Sequence, residues 1–418
     1  MNPTPILSSP SSPFLAPAAG GGQAVTLQGS GLSGALAVQV GSNQIKPIST
    51  TKTSITFVWP PNAASATPYD ITVIFPDDGD DHANTTSNTL RSAVYYLPSN
   101  VTNAWYAAEF YSSGVWTDLI AGVQEAPFGS LLAPPLASQW SNGEPALGPF
   151  SGTQGLRNAS LPVQPQPGAI FVVGQTGNLA ATNTYFGGNW QAYQTGAGLN
   201  GTPASNAGVE LDDTTDRLTK PSIAEYVFNG ADSSITVNGG IRTTGNAGTN
   251  ALAGLTLGVF ADGVTRPLTG GYEALVLVYN GIPSVGDEAI ITAIATSLYA
   301  TPTATLCYTL EPVAPITATQ LLAATTAVDL QLESIQTATG CTLISDVTIQ
   351  IPETSIIQRC IKFALTPAFQ SGFTSKTLAQ AIASGSWASP FNNLYKHTLG
   401  AVLGSDVTAA APIIAQSF

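Results

Sequence analysis

Residues 20–61 read GGGQAVTLQGSGLSGALAVQVGSNQIKPISTTKTSITFVWPP. Val25 and Leu27, then Leu36, Val38 and Val40, then Ile55 and Phe57 alternate with polar or small neighbours, and Gly, Ser and Asn separate the three runs. Alternation with a period of two marks strands that bury one face, and turn residues at this spacing mark the ends of short antiparallel strands. Strands recurring every 8–12 residues are the pattern of a β-sandwich.

The same reading extends outward in both directions. Across 418 residues the charged fraction is 9%, with 41 glycines and 30 prolines. Turn chemistry and β-propensity must therefore specify most of the structure, and a helical bundle is excluded. A chain of this length divides into two or three domains. With 12 basic and 25 acidic residues the net charge is −13, which offers no attraction to nucleic acid or to anionic lipid. No stretch approaches the length of an apolar membrane span. The opening MNPTPILSSPSSP has no basic segment followed by an apolar run, so the expectation is a chain made in the cytoplasm without an export signal. Cys307, Cys341 and Cys360 lack metal-ligand spacing, and they read either as buried free thiols or as one disulfide with a spare thiol.

Residues 1–98 form the first expected domain. AVTLQGSGL (24–32), VQVG (38–41), YDITVIFPDDG (69–79) and SAVYYL (92–97), behind a Pro-rich lead, resemble the immunoglobulin-like IPT/TIG domains. That resemblance implies spacing, stacking or binding, and no catalysis.

Residues 99–300 form a second and larger unit, expected to be a jelly-roll sandwich. GAIFVVGQTG (168–177), AEYVFNG (224–230), SSITVNGG (233–240) and GYEALVLVYNG (271–281) are apolar or alternating runs stopped by Gly or Asn. Asn238-Gly239 is a tight-turn signal. From Ser284 the period changes: Ala289, Ile290, Ala293, Ile294, Ser297 and Leu298 recur at helical spacing, with Ser284 as N-cap and Asp287 and Glu288 in the first turn. A strand running into a short capped helix, with the ITVNGG hairpin and the aromatic run AWYAAEFY (104–111), is similar to concanavalin A-like lectin/glucanase (laminin G-like) domains.

Residues 301–418 read as a small mixed α/β assembly domain, with helices at 317–332, 374–385 and 389–404 and a strand at DVTIQIP (346–352). The fold class is thus mainly β, with an immunoglobulin-like sandwich, a jelly-roll sandwich and a mixed terminal domain.

Glu210-Leu211-Asp212 is the strongest catalytic candidate, because alternation puts Glu210 and Asp212 on one strand face. Laminarinase-type glycosidases of the resembled fold carry a further glutamate soon after such a pair; here Thr214 and Thr215 follow, and Asp216 comes too late. The reading is a solvated acidic loop and no catalytic residues. Asp77, Asp78, Asp80 and Asp81 offer oxygen ligands to calcium, although an exposed hairpin turn explains them more simply. No other cofactor is expected. Trp140, Trp190 and Tyr193 lie in polar, Gly/Asn-rich segments, where an aromatic face can stack on a sugar ring; core packing is the plainer alternative. His82 and His397 lie far apart and belong to no nucleophilic arrangement.

These readings favour a non-enzymatic structural protein of a virus particle, a head decoration, spike or tail component displayed on the virion surface. Its expected partners are copies of itself and other virion proteins, with host glycan as a further partner. Ile413, Ile414 and Phe418 in the apolar end are the expected assembly contacts. The alternative is a carbohydrate-binding adhesin at a bacterial cell surface, and a glycosidase comes third.

Overall fold

The computed structural model describes residues 5–8, 12–76, 86–87, 89–141, 144–158, 161–177, 182–194, 202–213, 218, 220–260, 262–263, 267–311, 342–350, 357–364, 406–409 and 413–417. The protein is mainly β, with one α-helix among these residues. The chain divides into two compact units, residues 1–140 with 144–298, and residues 141–143 with 299–418.

The first unit opens with a two-sheet sandwich. One sheet runs in the order Ile6–Leu7, Gly21–Ser30, Ser54–Trp59, Ser49–Thr50, and the other Phe14–Pro17, Leu90–Leu97, Ser65–Ile74, Ala37–Val40, Asn43–Ile45. Phe14–Pro17 is parallel to Leu90–Leu97, whereas the other pairings are antiparallel. The expected alternation is realised in burial: Val25, Leu27, Val38, Val40, Ile55 and Phe57 are all core residues. Trp59 closes this core against Phe57, at 5.0 Å and 82°, and against Phe14 and Tyr96. Leu36 departs from the pattern, being 52% exposed. It lies one residue before its strand begins, beyond the end of the core.

A second sandwich follows in the same unit. Its larger sheet runs Leu136–Ser141, Glu144–Leu147, Tyr272–Asn280, Gly168–Gln175, Ser222–Phe228, Ser233–Val237, Thr243–Gly245, and Val101–Tyr106 also pairs with Tyr272–Asn280. The facing sheet runs Leu156–Asn158, Leu255–Leu257, Asn183–Gly187, Gln191–Gln194, Pro203–Asn206, Glu210–Asp212. Ile170, Val172, Tyr226, Phe228, Val276 and Val278 from the first meet Phe186, Ala192, Leu255 and Leu257 from the second in one core. Asn238 and Gly239 both have positive φ, as the hairpin reading requires.

The helix Val285–Tyr299 starts where expected, with Ser284 Oγ accepting the Asp287 N–H at 3.1 Å. Its buried stripe is Ile291, Ile294, Ala295 and Leu298, whereas Ala289 is exposed and Ile290 half-buried. The apolar face is therefore turned by about one residue from the expected one, because Ile291 rather than Ile290 is fully enclosed.

The two sandwiches are bonded to each other. Leu15 N–H donates to Glu109 Oε1 at 2.8 Å, Gln23 N–H to the Leu119 carbonyl at 2.9 Å, and Tyr106 Oη to the Pro13 carbonyl at 3.1 Å. Gly22 has φ of +73°, and a Cβ there would meet the Leu119 carbonyl at 2.7 Å, so the backbones approach as closely as only glycine permits.

In the second unit, Thr342–Gln350, Ile357–Ala364, Thr301–Glu311 and Asp406–Ala409 form an antiparallel sheet, and Ile413–Ser417 also pairs with Thr301–Glu311. Of the expected DVTIQIP strand, residues 346–350 lie in Thr342–Gln350, and positions 351 and 352 fall outside the described residues. The three expected helices, Cys341 and Phe418 fall outside the described residues. The register sets Cys307 opposite Cys360. Ile413 and Ile414 pair with Thr305 and Ala304, so the apolar end is taken up, at the level of its backbone, by the sheet of its own unit.

Candidate functional site

The six-stranded sheet brings polar residues from three neighbouring strands into register. Gln191, Asn206 and Glu210 form one cross-strand row, and Tyr193, Ala204 and Asp212 form another two residues along. Positions two apart on a strand share a face, so the two rows belong to the same side of the sheet. Leu211, between Glu210 and Asp212, packs against the core, which puts the two carboxylates on the other face of the strand, where Asp212 Oδ1 is buried and Ala204 of the same row is fully enclosed. Glu210 is exposed, and Gln191, Asn206 and Asp212 are half-buried. Gln191 Nε2 donates to the Gly188 carbonyl at 3.1 Å, and Asn206 Oδ1 accepts the Gly208 N–H at 2.9 Å. Both amides are thereby held in place while keeping further hydrogen-bonding capacity.

Burial pushes the Asp212 carboxyl up from its ordinary value, and the charge of Glu210 and a hydrogen bond with it push the same way. Asp213, next along the strand, points the other way: it is fully buried, and Thr243 Oγ1 donates to its Oδ1 at 3.1 Å. Positions 214–216, where a third carboxylate was sought, lie outside the described residues.

The aromatic candidates separate. Trp190 is fully buried, stacked on Phe228 at 4.6 Å and 17°, and its Nε1 donates to the Asn250 carbonyl at 2.6 Å. It is a core residue, and the expectation of a sugar platform there is corrected: the Gly/Asn-rich flanks are turns around a buried ring. Trp140 is half-buried and stacks on Tyr272 at 5.7 Å and 24°. Tyr193 takes its place in the row described above. Asp77, Asp78, Asp80, Asp81, His82 and His397 lie outside the described residues. Among the described residues no group of three or more His, Cys, Asp or Glu can hold a metal ion, and no helix is long and apolar enough to cross a membrane.

Carboxylates that sequence reading passed over lie inside the second sandwich. Glu125 and Glu273 are fully buried, and none of their four oxygens has a hydrogen-bond partner, the Asn158 and Gly258 amides lying toward them without closing a bond. Burial pushes both carboxyls well up, and for Glu125 the charge of Glu273 adds to it. Asp118 nearby is satisfied, accepting the Ala104, Ile120 and Ala121 amides and Asn103 Nδ2 at 2.6–3.1 Å. The signal for Glu273 was a single charge inside the apolar run YEALVLVYN. Sealed from solvent, these acids cannot reach a polysaccharide.

Residues 5–91 match the IPT/TIG domain family. No curated protein matches the chain in sequence. Among solved structures, a Trypanosoma rangeli sialidase is similar at 13% identity and a TM-score of 0.34, over 49% of this chain and 34% of the sialidase. The chain thus spans about a third of that protein. Domain 4 of AbnA, a GH43 extracellular arabinanase from Geobacillus stearothermophilus, in complex with arabinotriose, is similar at 15% identity and a TM-score of 0.35, over 48% of this chain and 98% of that domain. The Bacteroides ovatus SGBP-B in complex with a mixed-linkage heptasaccharide gives 13% identity and a TM-score of 0.19, over 66% of this chain and 53% of that one. Scores this low leave the activity to be argued from the chain's own residues. By the match and by the sandwich those residues build, residues 5–91 are an IPT/TIG domain.

Proposed function

We propose that this protein recognises carbohydrate without cleaving it, with the IPT/TIG domain holding a concanavalin A-like sandwich that carries the glycan-binding face. The observation that supports this most directly is the pair of rows on the six-stranded sheet, Gln191-Asn206-Glu210 and Tyr193-Ala204-Asp212. Planar amides donate and accept, and carboxylates accept, in the plane where vicinal sugar hydroxyls lie. Glu210 and Asp212 lie two residues apart on one strand, and Thr214 and Thr215 stand where a laminarinase-type glycosidase carries its further glutamate. Their role here is to hold hydroxyls. The reading as a particle component rests on low charge, the opening sequence and the resembled domain families, and the glycan reading is preferred because it has a specific face to act through.

A polysaccharide microarray tests it. Asp212→Ala and Asn206→Ala should each weaken retention of the preferred glycan by about tenfold, the effect of losing one or two hydrogen bonds, with folding unchanged. The same glycans should not be hydrolysed. Reproducible turnover abolished by Glu210→Gln would overturn the non-catalytic reading, and retention indifferent to both alanine variants would overturn the site.

A further inference from the structure

A second polar constellation lies on the opposite sheet. There a cleft of about 140 Å³ is floored by Phe171 and Ile223 and walled by Glu225, Thr236, Arg242 and the helix residue Glu288. Arg242 Nη2 bridges the two acids, at 3.3 Å from Glu225 Oε2 and 2.7 Å from Glu288 Oε1. The Glu225 side chain is only 8% exposed, while those of Arg242 and Glu288 are 39% and 22% exposed. Glu225 and Thr236 are cross-strand partners. Thr236 Oγ1 faces Glu225, yet neither it nor Glu225 Oε1 has a partner within hydrogen-bond geometry, and both atoms are buried. Two buried polar atoms that line a cleft and lack partners are a costly arrangement unless something fills it.

We propose that this cleft binds a primary ammonium group. The cluster has two carboxylates and one guanidinium, so it is one positive charge short when both acids are ionised. An ammonium supplies that charge and three N–H donors, of which one meets Glu225 Oε1 and another Thr236 Oγ1. A neutral hydroxyl satisfies the hydrogen bonds and leaves the charge uncompensated. A divalent metal ion would sit against the Arg242 guanidinium with only two carboxylates to hold it. The volume is well below that of a drug-sized pocket and suits the tip of a side chain or one substituent of a sugar. The free protein has another way to meet the deficit: burial and the neighbouring Glu288 push the Glu225 carboxyl up to about 7, with Arg242 opposing, so a proton occupies the site as pH falls. Ammonium and proton then compete for Glu225, and Glu288 and Arg242 are the other charged groups facing it. This site is separate from the glycan-binding face and does not depend on it.

Calorimetry of the full chain at pH 7.5 with ethylammonium, and with ethylene glycol as its neutral counterpart, tests the proposal. Ethylammonium should bind and release protons, seen as a heat that changes with the ionisation enthalpy of the buffer, and glycol should not bind. Binding should weaken several-fold between pH 7.5 and pH 6. Glu225→Gln should weaken it at least tenfold and Glu288→Gln several-fold; if the first variant fails to fold, the second and the pH series carry the test. Competition by D-glucosamine or by Nα-acetyl-lysine amide tells an amino sugar from a peptide as the source of the ammonium. No ethylammonium binding by folded protein, equal binding of glycol, or affinity unchanged in both variants would overturn it. Asp212→Ala, which should impair glycan retention, should leave ethylammonium binding intact, so the two sites fail independently.

Discussion

Trp190 and Trp140 show how far a residue type in a polar segment can be interpreted. Both sit among Gly, Asn and Ser, yet Trp190 is enclosed on Phe228 and bonded to Asn250, while Trp140 is half-open beside Tyr272. Trp190→Ala should cost about 3–5 kcal/mol, the price of an emptied aromatic site in a core. Trp140→Ala should cost roughly 1–2 kcal/mol, since less area leaves water in the native state. Denaturant unfolding of the two variants checks the order, and a reversed order would contradict the burial assigned to each. Local composition could not separate the two, because enclosure depends on strands far away in the chain. The same holds for Gln191 and Asn206, which only the pairing of three strands sets beside Glu210. The shared face of Glu210 and Asp212 was legible, because alternation is local.

Among the elements, strands whose apolar residues alternate, such as Ser54–Trp59, were legible directly, as was the tight turn at Asn238-Gly239. The helix Val285–Tyr299 was legible in its start and its capping by Ser284, while its buried stripe was misplaced by one residue: almost every position from 289 to 295 is apolar or small, so periodicity fixes the face poorly. The terminal strand Ile413–Ser417 was read as an apolar tail for assembly, and its pairing with Thr301–Glu311 was hidden by more than 100 intervening residues. Because that strand completes a sheet, removing residues 412–418 should lower the melting temperature of the second unit. Scanning calorimetry of the truncated chain checks this. An unchanged transition would mean that the strand adds nothing to its sheet and is free for other contacts.

Across the whole molecule, the buried acids act together. Burial pushes Glu109 up to about 8 and Glu225 to about 7, and it raises Glu125 and Glu273 well above the usual range. A carboxyl whose folded-state value lies above its unfolded value binds its proton more tightly in the fold, so stability falls as pH rises between the two values. The window runs from about 4.5, the ordinary glutamate value, to about 8 for Glu109, and the contribution is fully present below it. The protein should therefore melt higher at pH 5 than at pH 8, opposite to the usual acid sensitivity of proteins rich in salt bridges. Glu109→Gln should flatten part of that slope, because it leaves a neutral group at the junction of the two sandwiches, where Leu15 donates to Oε1. Melting temperatures from pH 4.5 to pH 8.5 decide the matter, and a rise with pH would refute it. The enclosure of the tryptophans has an optical consequence. Trp59, Trp105, Trp116 and Trp190 are fully buried, leaving Trp140 as the one indole among the described residues that water reaches appreciably. With Trp387, which lies outside the described residues, replaced by Phe, the folded protein should emit at short wavelength, with most of its fluorescence shielded from acrylamide, and the small quenchable fraction should respond to changes around Trp140 and Tyr272 without any label being attached.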